Sequence, residues 1–120
     1  MCDWKMEHLM KLYNEEFERV KSGRKTIEVR LFDEKRQRIL VGDLITFLKL
    51  PNLEEQISVQ VLELLKYKSF PDLAESIPME DFGYPDNYEK DRFVEECYEI
   101  YSPEDERKFG VLGIRIKVML

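Results

Sequence analysis

Three charged side chains stand close together on a short segment, residues 22–31, in an order that suits ligand binding. After Gly23, polar and apolar residues alternate as they do along a β-strand, so successive side chains point to opposite faces. Glu28 and Arg30 share the polar face, and Lys25 stands at the start of the strand. The opposite face carries Ile27, Val29 and Leu31. The pattern predicts a buried apolar row behind a polar surface that lines a cleft.

The chemistry of these three side chains suits an anion or the edge of a base. Arg30 offers a planar fork of donors and Lys25 a compact charge, while Glu28 can orient both or accept a hydrogen bond. Such a group could bind a phosphate, a carbonyl or a nucleobase, and in an enzyme Lys25 and Glu28 would be the catalytic pair. The alternative is an ion pair on an exposed strand, which would contribute only about 0.2–1 kcal/mol.

Positive charge is concentrated around this segment, although the whole chain is acidic. The net charge of −6 argues against indiscriminate binding to nucleic acid. Between residues 19 and 38, eight basic residues stand against three acidic ones, whereas acidic residues outnumber basic ones in the remainder. We therefore predict a basic rim around the cleft, with a solvated face of mixed charge as the alternative. The further predicted ligand-binding residues are Gly23, Arg24, Lys35, Arg36 and Arg38.

Length and composition indicate one folded domain over residues 1–120. Hydrophobic residues make up 43% of the chain and aromatic residues 12%, which is typical of a globular core and not of a disordered segment. We find no apolar run long enough to cross a bilayer and no signal-peptide pattern, so we expect no membrane association.

Cysteine and histidine are too few to build a metal centre or a disulfide framework. With only Cys2, Cys97 and His8 available, the sequence predicts no metal site, no cofactor and a reducing, cytoplasmic setting. We interpret His8 as a core or rim residue and Cys97 as a core thiol.

The first half of the chain shows one ambiguous element and several clear ones. Residues 5–12 alternate like a strand, but their apolar residues also fit a helical stripe, so periodicity leaves both possibilities open. Asn14 is a candidate N-cap for a following helix, which would end at Gly23. Further strands are predicted over residues 25–31, 44–48, 57–67 and 111–119.

The second half is expected to be mainly helical before the final strand. Ser69 and Ser102 are predicted N-caps, and residues 88–101 show helical spacing. Residues 78–87 contain two prolines and a glycine, which indicates a loop and a mobile rim. The predicted order β-α-β-β-β-α-α-β is consistent with a small mixed barrel, although periodicity alone does not select it over other α+β folds.

The motif around the first cluster resembles the signature of the ASCH domains. Its spacing is G-x-K-x-x-E-x-R, carried here by Gly23, Lys25, Glu28 and Arg30. The likeness continues through residues 22–47, which include a Val-Gly-Asp turn, and returns in the closing segment, residues 101–116. The resemblance implies an α+β, PUA-like small mixed β-barrel of ASCH type with flanking helices, in which residues 5–12 form a strand. It also implies RNA, or a nucleotide-like small molecule, as the partner.

One branch of that family resembles nucleoside amidohydrolases that deacylate N4-acetylcytidine. Its pattern places a lysine where Lys25 stands, a threonine nucleophile where Glu28 stands, and a later glutamate for which Glu75 and Glu80 are both candidates. Because the threonine is missing here, we expect a binding module. A small hydrolase of amidohydrolase or ribonuclease type is the alternative, and a protein-interaction module is a third possibility.

Aromatic residues near the predicted loop could stack on a base, or they could simply anchor a minor core. They are Trp4, Phe82, Tyr84 and Tyr88.

Overall fold

The computed structural model describes residues 5–119, which form a curled sheet of five strands flanked by four α-helices. The strands are β1 (Glu7–Leu12), β2 (Ile27–Leu31), β3 (Leu44–Lys49), β4 (Gln56–Tyr67) and β5 (Val111–Val118). The helices are α1 (Asn14–Lys21), α2 (Phe70–Ser76), α3 (Lys90–Ile100) and α4 (Pro103–Phe109). Single turns of 3-10 helix lie at Arg36–Arg38 and Met79–Asp81. This is the PUA-like, mixed α+β barrel architecture that the resemblance predicts.

The order of strands across the sheet places β1 and β2 at its two edges. The order is β1-β3-β4-β5-β2, in which β1 and β3 are parallel and the other neighbours are antiparallel. The sheet curls so that its two edge strands, β1 and β2, approach each other, and side-chain hydrogen bonds connect them. Arg30 Nη2 donates to the carbonyl of Lys11 at 2.9 Å, and Lys35 Nζ donates to that of Leu9 at 2.6 Å. We call this junction between β1 and β2 the seam.

The structure confirms the strand interpretation of the first element. Along β1, exposed and buried residues alternate strictly, with Met10 and Leu12 pointing into the core. His8 shares that inward face and is hydrogen-bonded through Nε2 to Asp43 Oδ2 at 2.9 Å. His8 is therefore a satisfied buried histidine at the Val41-Gly42-Asp43 turn.

The apolar row of β2 is buried at its ends but not at its centre. Ile27 and Leu31 pack into a cluster that includes Phe70 and Phe93 from α2 and α3. Val29 is only half-buried and lines the cavity described below, so its predicted burial is corrected. The cavity lies beside the centre of the strand, so Val29 borders it together with Phe93 and Cys97 of α3.

Three further expectations are corrected by the structure. Tyr13, not Asn14, is the N-cap of α1, and no side chain caps that end. Three helices, not the two of the predicted order, lie between β4 and β5, and the predicted N-cap at Ser102 is confirmed, because its Oγ accepts a hydrogen bond from the Asp105 amide and a separate helix begins there. Residues 78–87 contain a 3-10 turn and a fully buried Phe82, so this segment belongs partly to the core.

No helix among residues 5–119 has the length and apolar content needed to cross a membrane.

Candidate functional site

Lys25 is held in place by backbone contacts to two different elements. Its amide donates to the carbonyl of Arg19 in α1 at 2.9 Å, and it forms an isolated bridge with Phe82. Gly23 makes this path possible, since its φ of 81° lies in the left-handed region that glycine adopts without strain. The chain thus leaves α1, turns, and carries Lys25 inward before β2 begins at Ile27.

The three side chains of the sequence motif meet in one ion cluster, together with Glu16 from α1. Lys25 Nζ lies 2.7 Å from Glu28 Oε1 and 2.6 Å from Glu16 Oε1. Arg30 Nε donates to Glu28 Oε2 at 2.8 Å. Lys25 and Glu28 are only 7% and 3% exposed, so this cluster is not the exposed ion pair that was the alternative interpretation. We call Glu16, Lys25, Glu28 and Arg30 the ion cluster.

Mutual electrostatics keep Lys25, Glu28 and Arg30 charged. Burial alone would raise the pKa of Glu28, but the charges of Lys25 and Arg30 outweigh it and lower that pKa to about 2. Burial would lower the pKa of Lys25, but Glu28 and Glu16 outweigh it and raise that pKa above its ordinary value. Glu28 is therefore an ionised and weakly basic carboxylate at neutral pH, and Lys25 is a protonated amine.

A cavity of about 620 Å³ opens onto the ion cluster, and all four residues of the cluster line this cavity. Its apolar walls come from β1, α3 and the segment that follows Met79–Asp81, and include Tyr13, Tyr84, Phe93, Ile100 and Tyr101. Five carboxylate side chains line the cavity against three cationic ones. The carboxylates are Glu15, Glu16, Glu28, Glu96 and Glu99, and the cations are Lys11, Lys25 and Arg30.

Tyr84 lines one side of the cavity and belongs to an aromatic stack that extends away from the cavity lining. The rings of Tyr84 and Tyr88 lie 4.2 Å apart with an interplanar angle of 15°. The Arg19 guanidinium lies 4.5 Å from the centre of the Tyr84 ring and is ion-paired with Glu16. The stack is thereby tied to the ion cluster through Glu16, and the Tyr88 hydroxyl donates to Glu96.

The remaining predicted contact residues lie outside the cavity lining. Arg24 donates to Ser22 Oγ at 3.1 Å on the surface, and Arg36 pairs with Asp33 at 3.0 Å. Lys35 bridges the seam, and Arg38 is exposed in the short 3-10 turn. Gly23 shapes the turn before Lys25 but adds no lining atoms of its own. The structure thus brings Lys25, Glu28 and Arg30 together and leaves the basic residues of the predicted rim outside this cavity.

Sequence reasoning missed several residues of the site. No pattern in the sequence assigns Glu16, Tyr13 or Tyr101 to the site. Their membership depends on how α1 and α3 pack in the folded protein, and no local spacing reports that packing. Glu75 and Glu80, the two candidates for the later glutamate, are exposed and do not line the cavity.

The aromatic residues and the cysteine divide between core and cavity. Phe82 and Tyr84 both line the cavity, but Phe82 is fully buried and serves the core. Trp4 lies outside the described residues. Cys97 reaches the cavity wall, but burial raises the pKa of its thiol to about 12, which makes it a poor nucleophile. Across residues 5–119, no group of three or more histidine, cysteine or acidic side chains is placed to hold a metal ion.

Comparisons with known proteins agree with this architecture. The family model described as the ASCH domain matches residues 10–119. The crystal structure of the hypothetical protein PH0355 is 33% identical, with a TM-score of 0.83 over 95% of this chain and 100% of that one. The solution structure of protein PF0455 from Pyrococcus furiosus is 32% identical, with a TM-score of 0.74 over 95% of this chain and 98% of that one.

A more distant likeness concerns the fold alone. The S128A mutant of the ZmASCH protein from Zymomonas mobilis is 12% identical, with a TM-score of 0.64 over 94% of this chain and 68% of that one. Among curated proteins, no significant match was found.

Proposed function

Because the chain belongs to the ASCH domain family, we propose that it binds RNA, or a nucleotide-like ligand, in the cavity beside Lys25, Glu28 and Arg30. The main observation in support of the proposal is that the buried ion cluster lines an open cavity. Burying charges is costly, and the same space filled with apolar side chains would often be at least as stable. Charged groups held in a cavity at this cost are candidates for a functional site.

The ion cluster retains donors for a ligand. The Lys25 ammonium has three N–H donors, of which two are directed at Glu16 and Glu28. Arg30 directs Nε at Glu28 and Nη2 at the Lys11 carbonyl, and its guanidinium has five donors in all. Lysine and arginine side chains can donate hydrogen bonds to acceptors on the edge of a base, and a glutamate side chain can accept hydrogen bonds from its donors.

The walls of the cavity suit a flat, unsaturated ring. Tyr101 lines it beside Ile100, which is 64% exposed, and Tyr84 contributes its ring edge, because Tyr88 and the Arg19 guanidinium cover its two faces. Unpaired RNA bases commonly stack on aromatic side chains while their edges form hydrogen bonds, and this combination is present in the lining. We therefore infer that the ligand presents an unstacked base to the cavity.

The residues outside the cavity complete this proposal. Gly23, Arg24, Lys35, Arg36 and Arg38 are proposed contacts to the phosphate backbone of the ligand. A cytoplasmic setting also remains part of the proposal, since Cys97 is a free, buried thiol.

A hydrolytic role finds less support in the geometry. A carboxylate with a pKa near 2 is a weak general base, because an effective base has a pKa close to the working pH. Thr26, the nearest hydroxyl along the chain, does not line the cavity, and its Oγ1 donates to the Asp81 carbonyl at 3.4 Å. These features support binding over hydrolysis.

Binding can be tested with fluorescein-labelled single-stranded RNA of random sequence, about eight nucleotides long, by anisotropy over a salt series. Wild type should bind saturably, and Lys25→Gln and Tyr101→Ala should each weaken binding by about tenfold. Lys117→Gln, on the exposed face of β5, is the matched control and should change little. Thermal unfolding of each variant reports whether it is folded. No saturable wild-type binding to RNA or to nucleoside monophosphates would overturn the proposal.

A further inference from the structure

Two side chains project outward at the end of β1, next to the mouth of the cavity. Lys11 is exposed and Tyr13 is 67% exposed, whereas Leu12 between them is only 4% exposed. Tyr13 has an extended backbone, with φ of −65° and ψ of 158°, so the strand alternation continues through it. Lys11 and Tyr13 therefore share one outward side, and both reach the edge of the cavity lining.

A third side chain joins them from across the seam. Lys35 Nζ lies 2.6 Å from the carbonyl of Leu9, two residues before Lys11 on β1. Two residues of a strand span about 6.6 Å, so the Lys35 ammonium and the backbone of Lys11 are close neighbours. Lys35 is exposed, and its ammonium retains donors beyond the one used by Leu9.

Charge is distributed differently inside the cavity and at the seam. Burial lowers the pKa of Lys35, and the positive charges of Arg36, Arg30 and Lys11 lower it further, against a single opposing carboxylate, Asp33. Inside the cavity, Lys25 and Arg30 are already paired with carboxylates, whereas neither Lys11 nor Lys35 forms an ion pair within residues 5–119. A phosphate is therefore disfavoured inside the cavity and favoured at the seam.

We infer that Tyr13, Lys11 and Lys35 form a second nucleotide site beside the cavity. In this arrangement one base enters the cavity, the neighbouring base stacks on Tyr13, the phosphate that links the two nucleotides contacts Lys11, and the next phosphate along the strand contacts Lys35. This inference rests on the proposed function and narrows its ligand class to a single-stranded polynucleotide, because a free mononucleotide cannot occupy both sites. A regular duplex is excluded as the direct ligand, since its bases are stacked and paired.

The experiment compares two probes on one set of variants. The probes are a mixture of the four ribonucleoside 5′-monophosphates and the random-sequence RNA of about eight nucleotides. The variants are Tyr13→Ala and Lys35→Gln, with Leu62→Ala and Lys117→Gln as exposed controls on β4 and β5. Lys35→Arg retains the charge and should restore binding to near the wild-type level.

We expect wild type to bind the RNA more tightly than the monophosphates. Tyr13→Ala should weaken RNA binding by about tenfold more than it weakens monophosphate binding. Lys35→Gln should also reduce the slope of log affinity against log salt concentration by about 0.7, the value for one phosphate contact on a single strand. The two controls should change neither quantity.

Failure of this inference and failure of the proposed function give different results. If wild type binds neither probe, both are overturned. If wild type binds the monophosphates as tightly as the RNA, or if Tyr13→Ala and Lys35→Gln affect the two probes equally, the second site is overturned and the cavity proposal stands.

Discussion

Lys25 Nζ lies 2.7 Å from Glu28 Oε1, although residues three apart on a regular strand point to opposite faces. The contact forms because Lys25 precedes β2 and follows the C-terminal end of α1, so its side chain is not bound by the strand alternation. Glu28 is thereby held by Lys25 on one oxygen and Arg30 on the other. The charge state of Glu28 and the position of its side chain beside the cavity both depend on this contact.

The buried position of Glu28 predicts a pH dependence of stability. Its folded pKa is about 2 and its ordinary value is 4.5, so its contribution is fully present above pH 4.5 and is lost as the pH falls toward 2. The shift corresponds to about 3 kcal/mol of unfolding free energy. Glu28→Gln should therefore be less stable than wild type at pH 7, and the difference should shrink between pH 4.5 and 2. Denaturant unfolding at several pH values measures it.

The control for that prediction is an exposed pair of the same type. Glu63 Oε1 lies 3.0 Å from Arg115 Nε on the surface of β4 and β5. Glu63→Gln should change stability by only about 0.5 kcal/mol, because solvent screens exposed pairs. A stability difference for Glu28→Gln that stays constant from pH 7 to pH 2 would show that Glu28 does not titrate as described.

Arg30 and Lys35 should differ in their effect on ligand affinity. Arg30→Ala removes a largely buried guanidinium beside the cavity and should weaken an anionic or base-like ligand by about 1.5–3 kcal/mol. Lys35→Ala removes an exposed ammonium, so it should cost less and act mainly on the salt dependence. Titration calorimetry with the RNA probe compares the two. Equal small losses would indicate a diffuse charge effect without a defined site.

We expect no turnover of the threonine-dependent amidohydrolase kind. Glu28 occupies the position that resembles the nucleophile's, and a carboxylate there repels the oxyanion that develops when an amide is attacked. N4-acetylcytidine hydrolysis would be assayed for wild type, Lys25→Ala and Glu28→Thr. Robust wild-type turnover that Lys25→Ala abolishes would identify an enzyme and replace the binding proposal.

Helix capping gives a prediction that distinguishes the N-cap seen in the structure from the N-cap expected from the sequence. Ser69 Oγ accepts a hydrogen bond from the Asp72 amide at 3.2 Å, whereas Asn14 is the first residue inside α1 and caps nothing. Ser69→Ala should cost about 1 kcal/mol of unfolding free energy, and Asn14→Ala should cost little or slightly stabilise. Chemical denaturation measures both. A larger loss for Asn14→Ala would contradict the N-cap at Tyr13.

The sequence predicted the strands better than the surroundings of the site. Alternation reports which face of a strand is buried, and it located β2 and the shared face of Glu28 and Arg30 correctly. It could not report that Val29 would border a cavity, since that depends on how α3 packs beside β2. The motif brought Lys25 to the right place only through its resemblance to a family, because strand periodicity alone would point it away from Glu28.

Long-range packing explains what was missed. Glu16 joins the ion cluster because α1, which packs on β1 and β3, brings it to Lys25, and Tyr101 joins the cavity because the C-terminal end of α3 lines it. A count of local charge predicted a basic rim, but the sequence could not show that five carboxylates would face the cavity from separate elements. Charge along the chain and charge around a cavity are different quantities, and only the fold relates them.

The most direct test of the binding proposal is an NMR titration of the protein with the single-stranded RNA probe, following the Arg30 Nε–H, the Lys25 ammonium and the backbone amides. The account predicts saturable shifts at Lys25, Arg30, Tyr84 and Tyr101, with α4 unaffected. The ion cluster should remain assembled, so the Arg30 Nε–H signal should shift without exchanging faster with water. Saturable shifts confined to α4 or to the outer face of β4, or no saturable shifts at the cavity, would contradict it.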